Sequence, residues 1–363
     1  MKQERITKVV KIGGFSHILP VFIGGTNPVV IQTMWKERLS LEDLDSAREH
    51  INMLQSLGCG LLRFAVPDIK SAEVFGRLCE MVTMPLAADI HFDYKIALRC
   101  MDFPAAKIRI NPGNIGSRDK VHLVLEKAAK GNIPIRIGVN AGSLPDDLRK
   151  GSVTEALVQA AEREIAVFEE FGFTNYLVSM KASTIADTIN ANKILSARTD
   201  APLHVGVTEA GPLAAGVARN MAALLMLFKE GIGDTVRISL SDTMENEIIA
   251  GREIVAAAAR IAPENARLSC RGVNIISCPR CGRHGFDTHG FTSRWMPRLY
   301  ALKKDITVAI MGCEVNGPVE AKHADLGITG AGDKVLIFRL GNIVRTITSS
   351  QADMAFEEEL EKL

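Results

Sequence analysis

Between residues 27 and 261 the chain alternates short β-rich runs with longer amphipathic stretches, and it does so eight times. The runs begin at Pro28 (PVVIQTM), Leu61 (LLRFAV), Pro85 (PLAADIH), Lys107 (KIRIN), Ile133 (IPIRIGVN), Tyr176 (YLVSMK), Leu203 (LHVGVTE) and Thr235 (TVRISL). A helix after each strand returns the chain to the end it started from, so the next strand pairs in parallel. Eight such units are the sequence form of an α/β chain closed into a (β/α)8 TIM barrel with an outer ring of helices. The rival, an open doubly wound sheet, lacks its phosphate fingerprint here, because no GxGxxG follows the first strand. The first helix is well marked. Ser40 can cap it, Leu41, Leu44, Ala47, Ile51 and Leu54 recur at helical spacing, and Gly58 can close it. Stretches 154–171 and 244–261 read the same way.

The punctuation then changes. Residues 1–261 are assigned to the barrel and 262–271 to a linker, while 272–363, rich in glycine and carrying a CxxC, form a smaller α+β domain. Lys and Arg number 43 against 42 Asp and Glu. So balanced a chain offers no general attraction to nucleic acid or an anionic membrane, and any anion it binds must be met by a local cluster. The start, MKQERITKVVKIGG, has no long apolar core, and the most apolar stretch, 221–228, is too short to span a bilayer, which points to the cytosol. Seven cysteines, an odd number, are then expected as thiols or metal ligands. Cys59, Cys79 and Cys100 fall in or beside helices and read as core packing.

Barrels of this kind carry their active sites at the C-terminal ends of the strands. There Asp89 and His91, Arg109 and Asn111, and Arg237 and Ser239 stand two apart, and Arg136, Gly138 and Asn140 keep the same period, so each set shares one face of its strand. Arg63 and Lys181 bring the cations of this rim to five on five strands, opposed mainly by Asp89 and Glu209. Internal pairing would account for any one of them, but two carboxylates cannot neutralise five cations. An unpaired, partly buried charge is costly, so a bound anion is the expected partner. The forked donors of arginine suit phosphate oxygens, which points to a small substrate bearing phosphate, most simply a diphosphate. Glu209, in VTEAG, is then an anion among cations and a candidate acid or base, with a salt bridge as its other role.

Cys278 and Cys281 place two thiols on one tight loop, and Cys313 follows the β-rich run ITVAIMG that would carry it back toward them. A lone CxxC suits zinc, a redox dithiol or an iron-sulfur cluster. Cys270, Glu320, His284, His289 and His323 are the candidates for a fourth ligand. Three cysteines with one histidine would suit zinc. A cluster normally takes four cysteines, so three imply a substituted or open iron.

The segments SCPRCGR, MGCEVNGPVEA, DIHFDYKIAL, RINPGNIG, RIGVNAGSL and TEAG, taken together, resemble the 4-hydroxy-3-methylbut-2-enyl diphosphate synthase family, iron-sulfur enzymes of the methylerythritol phosphate route to isoprenoids. The resemblance covers nearly the whole chain, with barrel and thiol motifs in the family's order and a C-x2-C-x31-C-x6-E spacing through Cys278, Cys281, Cys313 and Glu320. It implies a [4Fe-4S] cluster with Glu320 as fourth ligand, and two-electron reductive opening of 2-C-methyl-D-erythritol 2,4-cyclodiphosphate with electrons from ferredoxin or flavodoxin. By the same resemblance Arg63, Asp89, His91, Arg109, Arg136, Asn140, Lys181, Thr208, Arg237 and Ser239 hold the substrate, Glu209 donates a proton and Asn316 lies nearby. It also implies a head-to-tail homodimer in which one chain's cluster domain caps the other's barrel. The family pattern is broken at MWKERLS (34–40), where a Thr- and Asp-rich segment is usual, and at Val319, which stands for the glycine of NGPGEA.

Overall fold

The computed structural model describes residues 5–149, 151–269 and 271–363, without the side chains of Ser143 and Asn316. The chain divides into two compact units, Met1–Cys270 and Arg271–Leu363.

In the first unit an antiparallel pair, β1 (Val10–Ile12) and β2 (Val21–Ile23), precedes the repeat. The repeat runs β3 (Val30–Met34), α1 (Leu44–Ser56), β4 (Leu61–Ala65), α2 (Ile69–Met81), β5 (Leu86–Ile90), α3 (Tyr94–Cys100), β6 (Lys107–Ile110), a short α4 (Pro112–Ile115) and α5 (Arg118–Lys130). It continues with β7 (Ile135–Asn140), α6 (Val153–Glu170), β8 (Tyr176–Lys181), α7 (Ile185–Ser196), β9 (His204–Val205), α8 (Leu213–Phe228), β10 (Thr235–Val236) and α9 (Met244–Ile261). Strands β3 to β10 form one parallel sheet in the order β8-β7-β6-β5-β4-β3-β10-β9, and a parallel bridge from Val178 to Leu203 joins its two ends. The barrel is therefore nearly closed, with its strands where the eight β-rich runs lie.

The first helix forms as its spacing implies. Ala47, Ile51 and Leu54 are buried, and Ser40 and Asp43 make a capping box in which Asp43 Oδ2 accepts from Ser40 N at 3.0 Å and Oγ at 2.8 Å. Leu41, counted with the apolar face, is exposed instead, because 41–43 is a 3-10 turn that rotates it off the stripe. Cys59, Cys79 and Cys100 are buried, and desolvation pushes the Cys59 thiol up to about 11 and Cys100 to about 12, so these are packing groups.

Two features depart from the sequence reading. The β1–β2 hairpin was not anticipated; its Val10, Ile12, Ile18 and Ile23 pack on Leu61, Ala87, Ala106 and Leu177, which open or precede strands, and so stopper the barrel at its N-terminal end. Residues 262–269, read as part of a linker, pack on the first unit. Asn265 Nδ2 donates to Phe228 O at 2.9 Å, and buried Arg267 pairs with Asp234 at 2.7 Å. Asp234 also accepts from Thr7 and from the Leu203 amide, so one carboxylate ties this segment to the N-terminus and to β9.

The second unit has a five-stranded sheet of β11 (Asn274–Ser277), β12 (Thr307–Met311), β13 (Leu326–Ala331), β14 (Lys334–Arg339) and β15 (Asn342–Ile347), with helices α10 (Thr288–Ala301) and α11 (Ala352–Glu361). The first three strands are parallel and the last two antiparallel additions. Phe291, Trp295 and Phe356 interlock between the helices, and Trp295 Nε1 donates to Asp353 at 2.7 Å. Among the described residues no helix is long and apolar enough to cross a membrane.

Candidate active site

The parallel register builds the barrel site. Asp89 on β5 stands opposite Arg109 on β6, which stands opposite Arg136 on β7, so three charged side chains share one level of the barrel. Asn140, at the end of β7, faces Lys181, at the end of β8. These residues, with Arg63, His91, Ser179, Thr208, Arg237 and Ser239, line a single polar cavity of about 90 Å³. Every barrel residue assigned to substrate by the resemblance is among them.

The charges are arranged asymmetrically. Asp89 Oδ1 accepts from Arg109 Nη1 at 2.9 Å, and its Oδ2 lies 3.3 Å from Arg63 Nε without the alignment of a hydrogen bond. Burial would raise this carboxyl, but Arg63, Arg109 and Arg136 outweigh it and hold Asp89 at about 2. Arg109 is fixed further by Gly138 O, by the His91 ring and by Asn140, whose amide oxygen accepts from Nη2 at 3.3 Å. Gly138 is required here, since a Cβ at that position would stand 2.2 Å from Arg109 Nε. Arg136 is 1% exposed, and its Nε and Nη1 are buried without a hydrogen-bond partner. Burial and the neighbouring arginines push its guanidinium, and likewise the Lys181 ammonium, well below their usual values. His91 is held down by burial against Asp89, with Arg109 and Arg63 adding to the effect.

One expectation about this ring is corrected. Glu209 does not supply the second carboxylate among the cations; it is exposed beside Thr208 and does not line the cavity. Its backbone is left-handed, at φ +52°, a conformation that costs a non-glycine residue of order 1 kcal/mol. Glu247 on α9 takes the place expected of it. Its side chain is fully buried, pairs with Arg237 and Lys36, and accepts from Thr33 Oγ1 at 2.6 Å. Below the ring, Lys107 is fully buried with Nζ 3.3 Å from Gln32 Oε1, and burial and Arg136 drive its ammonium well down. Among the described residues seven cations, Lys36, Arg63, Lys107, Arg109, Arg136, Lys181 and Arg237, thus stand around two buried carboxylates, Asp89 and Glu247. Ser179 and Lys107 were missed although they stand two before Lys181 and Arg109, where the strand period puts them on the same faces.

In the second unit the parallel strands bring the thiol loops to one edge. Cys278 follows β11 and its N–H donates to Ile310 O on β12 at 2.9 Å; Cys313 lies two residues past β12. The Cys281 loop is drawn to the same edge, since His284 N donates to Cys281 O at 3.1 Å and Gly285 N to Gly312 O at 2.7 Å. Thr288 and Thr329 hydroxyls donate to the carbonyls of Cys278 and Cys313. A Cβ on Gly312 would meet Cys278 Sγ at 3.6 Å, so the thiol lies against the residue before Cys313. Glu320 ends the turn Val315–Glu320, which is kinked at Gly317, and it is exposed, as is Val319. Cys270 and the side chain of Asn316 lie outside the described residues. Among the described residues no three His, Cys, Asp or Glu side chains stand close enough to share a single metal ion.

Both units match known protein families. Residues 7–252 match the GcpE TIM-barrel domain and residues 274–362 the GcpE protein C-terminal domain. The chain belongs to the GcpE family. A family member from Treponema pallidum, 49% identical over 97% of this chain and 91% of its own, is named 4-hydroxy-3-methylbut-2-en-1-yl diphosphate synthase (flavodoxin). Proteins of the same name from Treponema denticola and Thermodesulfovibrio yellowstonii are 46% and 40% identical, with each pair aligned over 100% of both chains. Beyond the GcpE family, a dihydropteroate synthase from Xanthomonas albilineans superposes with a TM-score of 0.50 at 13% identity, covering 70% of this chain and 99% of its own, which shows the barrel fold alone.

Proposed function

We propose that the chain reduces 2-C-methyl-D-erythritol 2,4-cyclodiphosphate to 4-hydroxy-3-methylbut-2-enyl diphosphate, taking up two electrons and two protons, opening the ring and releasing one water. The observation that carries this reading is the cationic cavity, lined by five Arg and Lys side chains against the single carboxylate of Asp89, where Arg136 keeps two buried guanidinium nitrogens without a hydrogen-bond partner. A dianionic diphosphate supplies the missing acceptors and charge. Arg109, Arg136, Lys181 and Arg237 bind its oxygens, while Asp89 orients Arg63 and Arg109. Asn140, Thr208, Ser179 and Ser239 hydrogen-bond the remaining polar atoms, and His91 closes the rim. Glu209, exposed and next in sequence to the cavity-lining Thr208, delivers the proton that the departing hydroxyl requires.

Cys278, Cys281 and Cys313, with Glu320, fit a [4Fe-4S] cluster, because soft thiolates suit iron-sulfur centres and a carboxylate is a harder, more exchangeable fourth donor. When bound, the cluster supplies electrons one at a time, received from flavodoxin, the donor in the relatives' name, or from a ferredoxin. Asn316 beside it completes the proposed set. The proposal includes a head-to-tail dimer. An equal mixture of Glu209→Gln and Cys313→Ser chains, unfolded and reassembled, should then regain about a quarter of wild-type activity, since random pairing makes about half the dimers mixed and each mixed dimer has one of its two sites intact.

The decisive assay is anaerobic. Protein purified without air should be brown, with iron and labile sulfide, and with reduced flavodoxin should convert the cyclodiphosphate to the allylic diphosphate. Colourless protein carrying zinc, without turnover, overturns the reading.

A further inference from the structure

Among the described residues Glu247 is the one buried carboxylate of the mouth that a helix supplies, and its surroundings are unusually complete. Its Oε2 accepts from Thr33 Oγ1 at 2.6 Å and from Arg237 Nε at 3.2 Å; its Oε1 accepts from Arg237 Nη2 at 3.2 Å and from the Leu240 amide at 3.0 Å. Lys36 Nζ stands 3.0 Å from Oε1 and also donates to the carbonyls of Leu240 and Asp242. Donors from β3, from the loop after it and from the segment after β10 therefore meet on one side chain at the start of α9. Burial works against its charge, but Arg237, Thr33 and the Leu240 amide outweigh that and keep the carboxyl ionised.

The fork fixes the arginine. Contacts through both Nε and Nη2 define the guanidinium plane, which a single contact would leave free to turn. Among the described residues Nη1 finds no hydrogen-bond acceptor, and Arg237 lines the cavity. We infer that Glu247 is a positioning residue that aims Arg237 Nη1 at the bound phosphate, with Thr33 setting the carboxylate and Lys36 latching the 34–40 loop onto the same group. The inference rests on the cavity taking a phosphate, and it explains a lysine in a segment that breaks the family pattern.

A simple counter-charge and a positioning group predict opposite signs. If Glu247 only balances charge, Glu247→Gln removes an anion from beside the site and tightens binding of an anionic probe. If it positions Arg237, binding weakens. The probe is inorganic pyrophosphate, titrated calorimetrically into the full chain, with melting temperature recorded to establish folding. Glu247→Gln should weaken binding about 10-fold or more, the scale of one misplaced charge-assisted hydrogen bond. Thr33→Val changes no charge and should weaken it about 2- to 5-fold, the scale of one neutral hydrogen bond. In an Arg237→Lys background, which has no fork to aim, Glu247→Gln should have little further effect. Tighter or unchanged binding in folded Glu247→Gln, or an equal loss in both backgrounds, overturns the inference. Should Glu247→Gln fail to fold, an unchanged affinity in Thr33→Val overturns it instead. Cyclodiphosphate turnover is measured in parallel, so wild-type protein that binds pyrophosphate but does not turn over the cyclodiphosphate counts against the proposed substrate and leaves the positioning result standing.

Discussion

The polar groups of the barrel mouth are held by one another, whereas the thiols of the second unit are held by their backbones. At the mouth Asp89 joins two arginines, Glu247 joins an arginine and a lysine, and Gly138 is kept bare so that Arg109 can lie flat. At the strand edge, Thr288 and Thr329 grip the carbonyls of Cys278 and Cys313, and Cys281 remains exposed on its loop. The difference follows from the chemistry. A buried charge costs several kcal/mol unless it is matched in place, so a charged site must be assembled by folding itself. A neutral thiol carries little such cost and can wait on a placed backbone until a metal deprotonates and gathers it.

The largest effect that would sharpen this contrast is at the thiols. Cys278→Ser, Cys281→Ser and Cys313→Ser should each remove the cluster entirely while pyrophosphate binding at the barrel stays intact; iron and sulfide assays beside calorimetry report both. A full cluster in the Cys313 variant would break the assignment. Next comes Glu209→Gln, expected to lower turnover about 100- to 10,000-fold with little change in substrate affinity, the range of general acid catalysis. Near-normal turnover would leave its left-handed backbone without a catalytic purpose. Third, Arg136→Ala or Arg109→Ala should weaken substrate binding about 10- to 100-fold, the scale of one charge-assisted hydrogen bond, without altering iron content. Unchanged affinity in both would move the phosphates elsewhere.

The smallest effect concerns a carboxyl outside the ring. Glu164 lines a cavity of about 300 Å³ with Asn111, Gly113, Leu144 and Arg149, and burial lifts it to about 7, against a hydrogen bond from the Gly113 amide. Because the folded value is raised, the folded chain holds this proton more tightly than the unfolded one. The stability it contributes is complete below about 4.5 and is lost as pH rises through about 7. Thermal melts should therefore fall between pH 5 and 8 by a few degrees, equivalent to roughly 1–3 kcal/mol, and Glu164→Gln should flatten that fall. Parallel curves for the two proteins would remove Glu164 from the account.

What could be read from sequence follows the same division. The strand period exposes alternate residues to one face, so Arg136 and Asn140, or Arg237 and Ser239, announce a shared wall. Glu247 could not be read in this way. It stands two residues from Glu245 on α9, about 200° around the helix, and one of the pair faces inward to Arg237 while the other meets His50 at 2.8 Å. The letters MENEIIAG do not say which. The hairpin was hidden for another reason: its strands have three residues each and are separated by a glycine-rich turn, too short for any period to register.

That hairpin bears on electrostatics as well as packing. By filling the N-terminal end of the barrel with Val10, Ile12, Ile18 and Ile23, it puts hydrocarbon, a weakly polarisable medium, where water would otherwise stand beneath Lys107 and Arg136. Field lines from these cations find no solvent on that side to screen them and leave through the open end, where a low-dielectric wall concentrates them. The barrel is thus a vessel sealed at one end. Its attraction for an anion is focused along a single axis, and a polar residue in place of Ile12 would let part of that field leak away far from any atom of the ligand.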